Sequence, residues 1–499
     1  MVNENGLRVL LKHFVVYGAG FVLLNAVGFF LIPIYARYLS TGEYGILEVL
    51  SRCLDVAVII SASFLGITSI SFYSQEKDER RKKSVISTAI ITLFCSSVIG
   101  LVVFLMAANS LNRYFFGNQG YLPLFWMTGF ILLAELNSTV PMAFLQARMQ
   151  SRLYILISII KFLVVIGLTV VAVVVLKQGV KGVIFCNMVT GILFAGILMG
   201  YTLSKTGHGF DLGLFKGMLR FGLPFVPGSA FLFVLNNGDR FFISRLLDNS
   251  TLGVYALGYK IGLVVATFVL GPFLKVWGPF MFKLDEDSDS RKSFGRYFLY
   301  FTIAYCITAL PLAIFSREIF RIISAKGYWD GYRVVPYVLV AYLFWSIAAF
   351  FDSGFYITRK TIYKPLILGS AAVLAFILYW TLIPTFGMMG AAYATVICFA
   401  VFSGLTWFFA DRIYPVNYPL GKFVYVLGLG IALYLIGITF LAGLSPWLQV
   451  ILKCVLALVY PGLIVASRVL DKGDLVAARL YVITMWGRIT RSGDSVPAS

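Results

Sequence analysis

The sequence predicts an all-α polytopic membrane protein of about fourteen transmembrane helices, and three observations carry that prediction. Of the 499 residues, 60% are hydrophobic and only 13% charged, against roughly 45–50% and about 25% in soluble domains. The apolar residues gather into runs of about 20, the length a helix needs to cross a hydrocarbon core. The chain also echoes itself at one offset: Arg37-x-Leu39-x5-Gly45 returns as Arg245-x-Leu247-x5-Gly253, and Gly179-x-x-Gly182 returns as Gly387-x-x-Gly390, every position shifted by 208. Duplications of this kind build transporters. They imply two six-helix bundles related by an internal repeat, residues 1–206 and 207–412, followed by two C-terminal helices at 413–467 and a tail at 468–499.

The runs fall at 14–35, 44–72, 84–107, 121–145, 153–176, 180–203, 218–237, 252–282, 294–316, 334–357, 365–386, 388–410, 420–442 and 446–467. The first is long enough to span and lacks a small-residue cleavage site, so no cleavable signal is expected. Phe386-Gly387 reads as the closing turn of a helical hairpin. The 45 Phe and 28 Tyr suit both acyl chains and the headgroup zone. The segment Leu475 to Ile489 reads as a helix lying flat on the membrane with Trp486 at the headgroups. No connection exceeds about twenty residues, which leaves no room for a soluble domain.

Lys and Arg fix the orientation. With the N-terminus cytoplasmic, 26 of the 41 lie in inside segments and 10 in outside loops, so both termini are expected inside. The densest inside cluster is Lys77 to Lys83; the basic outside loop Arg317 to Arg333 runs against the trend. The net charge of +19 would suggest nucleic acid in a soluble chain, but here it reads as loop charge facing anionic lipid. The six cysteines all fall inside apolar runs without CxxC spacing, which argues against disulfides and metal. His13 and His208 are the only histidines, so no metal site, cofactor or His-based catalysis is expected.

Ionisable groups inside a span cost about 2.5–3.5 kcal/mol each and usually face protein or water. Run two carries Glu48, Arg52 and Asp55 on one helix face; run four carries Glu135 beside Asn137, Ser138 and Thr139; run ten carries Asp352. Lys161 lies in run five, near enough to its helix end to snorkel. Lys260 and Lys275 in run eight have no acid nearby in sequence, and a straight helix returns them to within roughly 60° of one another. A cationic cavity for an anionic substrate follows, formed by Arg52, Lys260 and Lys275 with Arg37, Arg240 and Arg245. The plainer reading is that Glu48 and Arg52 neutralise each other within their helix, and that Arg37, Asp239, Arg240 and Arg245 are interfacial anchors at span ends. Glu48, Asp55, Glu135 and Asp352 are candidate acids for a coupling proton or sodium ion. Gly28 and Pro33 in run one, and Pro224 and Pro227 in run seven, are candidate hinges; membrane helices also tolerate Gly and Pro without any such role.

The opening GAGFVLLNAVGFFLIPIYARYLSTGEYGILEVL, the segment LPFVPGS…DRFFISRLL…GVYALGYKIG, Trp277-Gly278-Pro279, Tyr332-Arg333-Val334-Val335-Pro336 and the turn GMMGAAYAT together resemble bacterial polysaccharide-repeat-unit flippases. These belong to the multidrug/oligosaccharidyl-lipid/polysaccharide exporter superfamily. The likeness covers residues 7–467. It implies two bundles in a V shape in the inner membrane, moving an undecaprenyl-diphosphate-linked oligosaccharide between leaflets by alternating access, for O-antigen or lipopolysaccharide synthesis. Membrane lipids, a polymerase and a chain-length protein are the partners it suggests, with no nucleic acid and no enzymatic step. Two alternatives stay open. A drug or organic-cation antiporter of the superfamily would expose acids to its cavity. A membrane polymerase or ligase would need a large outer loop with catalytic Arg or His.

Overall fold

A computed structural model describes residues 29–61, 64–117, 120–286, 289–441 and 443–470, and every regular element among them is helical. In chain order these are α1 (29–38), α2 (Thr41–Ile60), α3 (Leu65–Gln75), α4 (Glu79–Phe116), α5 (Leu122–Ala147), α6 (Ser151–Val170, running into a π turn at Val171–Val175) and α7 (Gly179–Thr206). The second series is α8 (Leu212–Gly222), α9 (Phe225–Leu246), α10 (Asn249–Val265), a π turn at Ala266–Leu270, α11 (Gly271–Asp285), α12 (Ser290–Ile314), α13 (Ser316–Ile323) and a 3-10 segment at Lys326–Arg333. Then come α14 (Val335–Phe351), α15 (Ser353–Ile357), α16 (Tyr363–Phe386), α17 (Met388–Asp411), α18 (Leu420–Thr439) and α19 (Pro446–Ala466).

Among the described residues, 12 helices are long and apolar enough to cross a membrane, or 13 when α8 and α9 count as one bent span. They match the predicted runs one for one from the second onward. The first run lies outside the described residues except for its last turns, as do Gly28 and the flat segment expected at 475–489.

The repeat is visible in the backbone. Ser40 caps α2, accepting from the Glu43 amide at 3.2 Å, while Glu43 returns to the Ser40 amide at 2.9 Å. At the equivalent place, 208 residues on, Asp248 caps α10 and accepts from the Thr251 amide at 2.8 Å. These two first turns rest on one another. A Cβ on Gly45 would stand 1.8 Å from the Asn249 carbonyl oxygen, and one on Gly253 would stand 2.0 Å from that of Thr41. Thr41 and Asn249 also differ by 208, so the contact is reciprocal, as two-fold-related surfaces require. Glycine lets the backbones close, and close backbones are how membrane helices gain packing energy without a hydrophobic drive. The second echo repeats a positive φ: Gly179 and Gly387 have φ of 57° and 61° at the turns that open α7 and α17, values side chains disfavour.

The described residues fall into two compact units, one drawn from Met1–Asp287 and Ser316–Pro415, the other from Ser288–Phe315 and Val416–Ser499. In the second, the Phe298 ring of α12 packs at a tilt against Tyr418 and Phe423, and Tyr460 of α19 donates to the Val426 carbonyl of α18 at 2.8 Å. Thus α12, which the sequence assigns to the C-terminal half, shares a unit with α18 and α19. The first unit holds all the helices that frame the site.

Two expectations change. Run seven, expected over 218–237 as one span, is two helices meeting at 42°, with Pro224 at the N-cap of α9, where its missing N–H interrupts no helical bond. Asp239 and Arg240 do not mark a span end. The α9 helix continues to Leu246, and the two are 1% and 3% exposed in its interior.

A buried ion network at the repeat contact

Glu48 lies two turns into α2 and is 2% exposed. Such a carboxylate persists only if its charge is met, and three cations meet it. Lys260 of α10 reaches Oε2 at 2.9 Å. Arg52, one turn along α2, brings Nε to 3.5 Å from Oε1, and Arg240 of α9 brings Nε to 3.6 Å from the same oxygen. Lys260 also donates to the Tyr44 hydroxyl at 3.0 Å. Arg52 binds Asp55 at 2.8 Å and the Asn237 side-chain oxygen at 2.7 Å.

Arg240 is held from its own helix by Asp239 at 2.6 Å and by the Asn236 carbonyl at 2.7 Å. Its guanidinium lies 4.0 Å from the centre of the Tyr259 ring, a cation–π distance. Asp239 in turn accepts from the Tyr255 hydroxyl. The hydroxyls of Tyr259 and Tyr342 stand 3.1 Å apart, and Tyr342 donates to Asn236 Oδ1 at 3.0 Å. The centre therefore balances Glu48, Asp55 and Asp239 against Arg52, Arg240 and Lys260. Arg52 and Lys260 differ by 208, so two repeat-equivalent cations converge on one acid. The residue equivalent to that acid is Ala256, which is fully buried.

Of the six cations named from the sequence, Arg52, Arg240 and Lys260 come together here and three do not. Lys275 is exposed on α11. The π turn at Ala266–Leu270 intervenes, and one residue added to a helical turn rotates the following face by about 100°, so the straight-helix alignment with Lys260 does not hold. Arg37 donates to the Ile322 carbonyl at 2.5 Å, and Arg245 lies 5.1 Å from the Tyr114 ring. Nor does Lys260 lack an acid; Glu48 comes to it from 212 residues away.

The other acids separate. Glu135 faces a cavity of about 330 Å³ with Lys161, Ser51, Thr128 and Asn187 among its walls. Asp352 pairs with Lys364 at 2.7 Å. Pro33 lies half-buried within α1, and Pro227 follows the α8–α9 bend inside α9. The residues around the centre that sequence reading missed are Tyr44, Asn236, Asn237, Tyr255, Tyr259, Tyr342 and Lys364 near Asp352. The Asn236-Asn237-x-Asp239-Arg240 string was the available signal, once read as helix interior. No group of His, Cys, Asp and Glu among the described residues could hold a metal.

The basic loop Arg317 to Arg333 has a structural role. Tyr328 donates to the carbonyls of Leu39 and Ser40 at 3.1 and 2.9 Å, and the Ala325 amide donates to the Ala36 carbonyl at 2.9 Å. With Arg37 on Ile322, this clasps the 36–40 turn that leads into α2.

A family model described as polysaccharide biosynthesis protein matches residues 34–330, a stretch that contains the whole charged centre. Among solved structures, the lipid II flippase MurJ in an inward closed conformation aligns with a TM-score of 0.71 at 13% identity, covering 91% of this chain and 100% of that one. An inward-facing multidrug resistance MATE family transporter of the MOP superfamily aligns with a TM-score of 0.61 at 15% identity, over 79% of this chain and 94% of that one. A MOP superfamily transporter from Pyrococcus furiosus Vc1, reported with a binding pocket of reverse polarity, gives 0.56 at 13%, over 80% and 95%. At these identities the likeness is one of fold. No curated protein matches the chain.

Proposed function

We propose, for a chain that belongs to the polysaccharide biosynthesis protein family, that it moves undecaprenyl-diphosphate-linked oligosaccharide units from the cytoplasmic to the periplasmic leaflet by alternating access. The observation that carries this reading is the centre at which Arg52 and Lys260, equivalent in the repeat, converge between α2 and α10. A diphosphate headgroup needs cations held where the two halves meet, able to hydrogen-bond its oxygens at short range. The likeness to the lipid II flippase fold supports the reading; an enzyme would need a catalytic outer loop, and Lys326–Arg333 is engaged in the Tyr328 clasp.

With both termini cytoplasmic in a bacterial inner membrane, the first turns of α2 and α10 face the periplasm. Their reciprocal glycine contact then supports a state shut on that side. Bending at Pro224 and Pro227, and at Gly28 and Pro33, is the proposed motion between bundles 1–206 and 207–412, with 413–467 and the tail apart. Of the candidate coupling acids, Glu135, which faces the cavity beside Lys161, is the one proposed to carry a proton or sodium ion, since Asp352 is held one-to-one by Lys364; transport that ignores both proton and sodium gradients removes that role. The polymer is proposed to be O-antigen or another lipopolysaccharide component, with a polymerase and a chain-length protein downstream.

The test is movement of a lipid-diphosphate-linked oligosaccharide in proteoliposomes. Wild type is expected to expose the sugar on the far leaflet, and Lys260→Ala to slow this at least tenfold when correctly inserted. Cation efflux without sugar-lipid movement would replace the flippase with an antiporter.

A further inference from the structure

We infer that Glu48 is a built-in substitute for the substrate's anion: it holds Arg52 and Lys260 together when the site is empty and gives them up to a diphosphate. The inference rests on the flippase reading and adds to it how the site is kept ready and how it discriminates.

Three features carry it. Glu48 has no counterpart in the repeat. Arg52 and Lys260 are equivalent under the 208-residue shift, yet the acid between them corresponds to Ala256, so a symmetric pair of cations shares one unsymmetric carboxylate, with Asp55 on the far side of Arg52 alone. A ligand with two linked anionic groups answers such a pair better than one carboxylate does. Second, Glu48 is only partly bonded by its partners. Lys260 makes a hydrogen bond at 2.9 Å, but the two guanidinium Nε atoms stop 3.5 and 3.6 Å from Oε1, and neither Nε has a hydrogen-bond partner. Buried donors left in that condition cost free energy that a better acceptor recovers. Third, exposure is graded in the right direction. The Glu48 side chain is 3% exposed and that of Arg240 4%, while Arg52 is 19% and Lys260 33% exposed. An entering anion meets Lys260 and Arg52, with the more exposed Asp55 on the far side of Arg52, before it reaches Glu48.

The consequence is competition. While Glu48 is charged, the centre is neutral and binds anions only by displacing the carboxylate. Such a site accepts a dianionic diphosphate and rejects singly charged phospholipid headgroups, which surround it in excess. It also has a way to release its load, because the carboxylate retakes the cations. Asp55 and Asp239 stay with Arg52 and Arg240 in either case.

The experiment measures binding of farnesyl diphosphate to purified full-length protein in detergent. Glu48→Gln leaves three cations facing two acids and is expected to bind at least tenfold more tightly than wild type, with a steeper salt dependence. Glu48→Gln combined with Arg52→Gln should lose that gain. Phosphatidylglycerol should compete poorly with farnesyl diphosphate for wild type; equal competition would overturn the discrimination. If Glu48→Gln is not monodisperse, Glu48→Asp, whose shorter reach loosens its hold on Lys260, should move affinity the same way by a smaller factor. Unchanged or weaker binding by a folded Glu48 variant overturns the inference. The flipping assay is separate: wild type that flips while Glu48→Gln binds no better keeps the transporter and discards the substitute anion. Tighter binding by Glu48→Gln, with no flipping by wild type, keeps the anion site and discards the flippase.

Discussion

Glu48 and Asp352 are both buried acids, 2% and 8% exposed, and they keep different company. Glu48 joins helices from both halves of the repeat and is shared by three cations. Asp352 sits at the break between α14 and α15, and one oxygen takes Lys364, which also donates to Tyr356 at 2.9 Å. All three of those residues lie within about a dozen positions in sequence. A one-to-one pair inside one half has nothing to exchange, and breaking it exposes a buried charge to an apolar surround. A shared acid whose cations have further partners can pass those cations on. The difference separates an ion pair that fixes helices from one suited to handling an anion.

The largest effect that would break this contrast lies at Lys260. Lys260→Ala should reduce flipping at least tenfold, whereas Asp352→Asn should leave it within about twofold in protein of equal abundance. Comparable losses from both would mean that the two acids act alike. Next is the backbone contact that brings Lys260 to Glu48. Gly253→Leu forces a side chain onto the Thr41 carbonyl, and crowding of that kind costs about 1–3 kcal/mol. A lowered melting temperature is expected. A Gly42→Cys, Ser250→Cys pair, placed where a Cβ on Gly42 would stand 3.4 Å from Ser250 Oγ, should cross-link far less when Gly253 is leucine than when it is glycine. Unchanged cross-linking would mean the first turns do not need that closeness.

These two residues also mark what could be read in the sequence. Hydropathy located the spans because the bilayer enforces length, and the 208-residue echo was legible because Gly45 and Gly253 are fixed by a reciprocal steric demand. The charged residues themselves stood out against an apolar background. Their pairing did not. Lys260 looked unpaired because its acid is 212 residues away, and Lys275 looked aligned with it because nothing in the run Ala266–Leu270 announces a π turn. Asp239 and Arg240 looked like a span end since a charged doublet is normally too costly inside one; Tyr255, Tyr259 and Asn236 offset that cost from other turns and helices, and such support has no local signature.

A third measurement sharpens the contrast from the side of Asp352. Lys364→Ala leaves that carboxylate buried with its remaining oxygen already lacking a hydrogen-bond partner. Lys364 is itself 36% exposed, so solvent reduces the penalty to about 1–3 kcal/mol. Thermal unfolding in detergent should show the loss, and Asp352→Asn should cost less than Lys364→Ala because it removes the buried charge instead of stranding it. The reverse order would mean that Asp352 is uncharged in the folded protein.

The smallest effect is expected at the clasp that steadies the entry to α2 from outside the spans. Burial pushes the Tyr328 phenol well above its ordinary pKa, so it remains a donor to Leu39 and Ser40 at any working pH. Tyr328→Phe keeps the ring against Tyr44, whose centroid lies 6.0 Å away, and removes only the hydroxyl. Loss of that donor should cost about 1 kcal/mol. Because the clasp bears on the turn before Ser40 and not on Glu48, diphosphate binding should stay within about twofold of wild type while the melting temperature falls. A change in affinity larger than the change in stability would mean that the Lys326–Arg333 loop reports to the charged centre. The division between residues that fix the helices and residues that meet the anion would then have to be drawn further out, to include Lys326–Arg333.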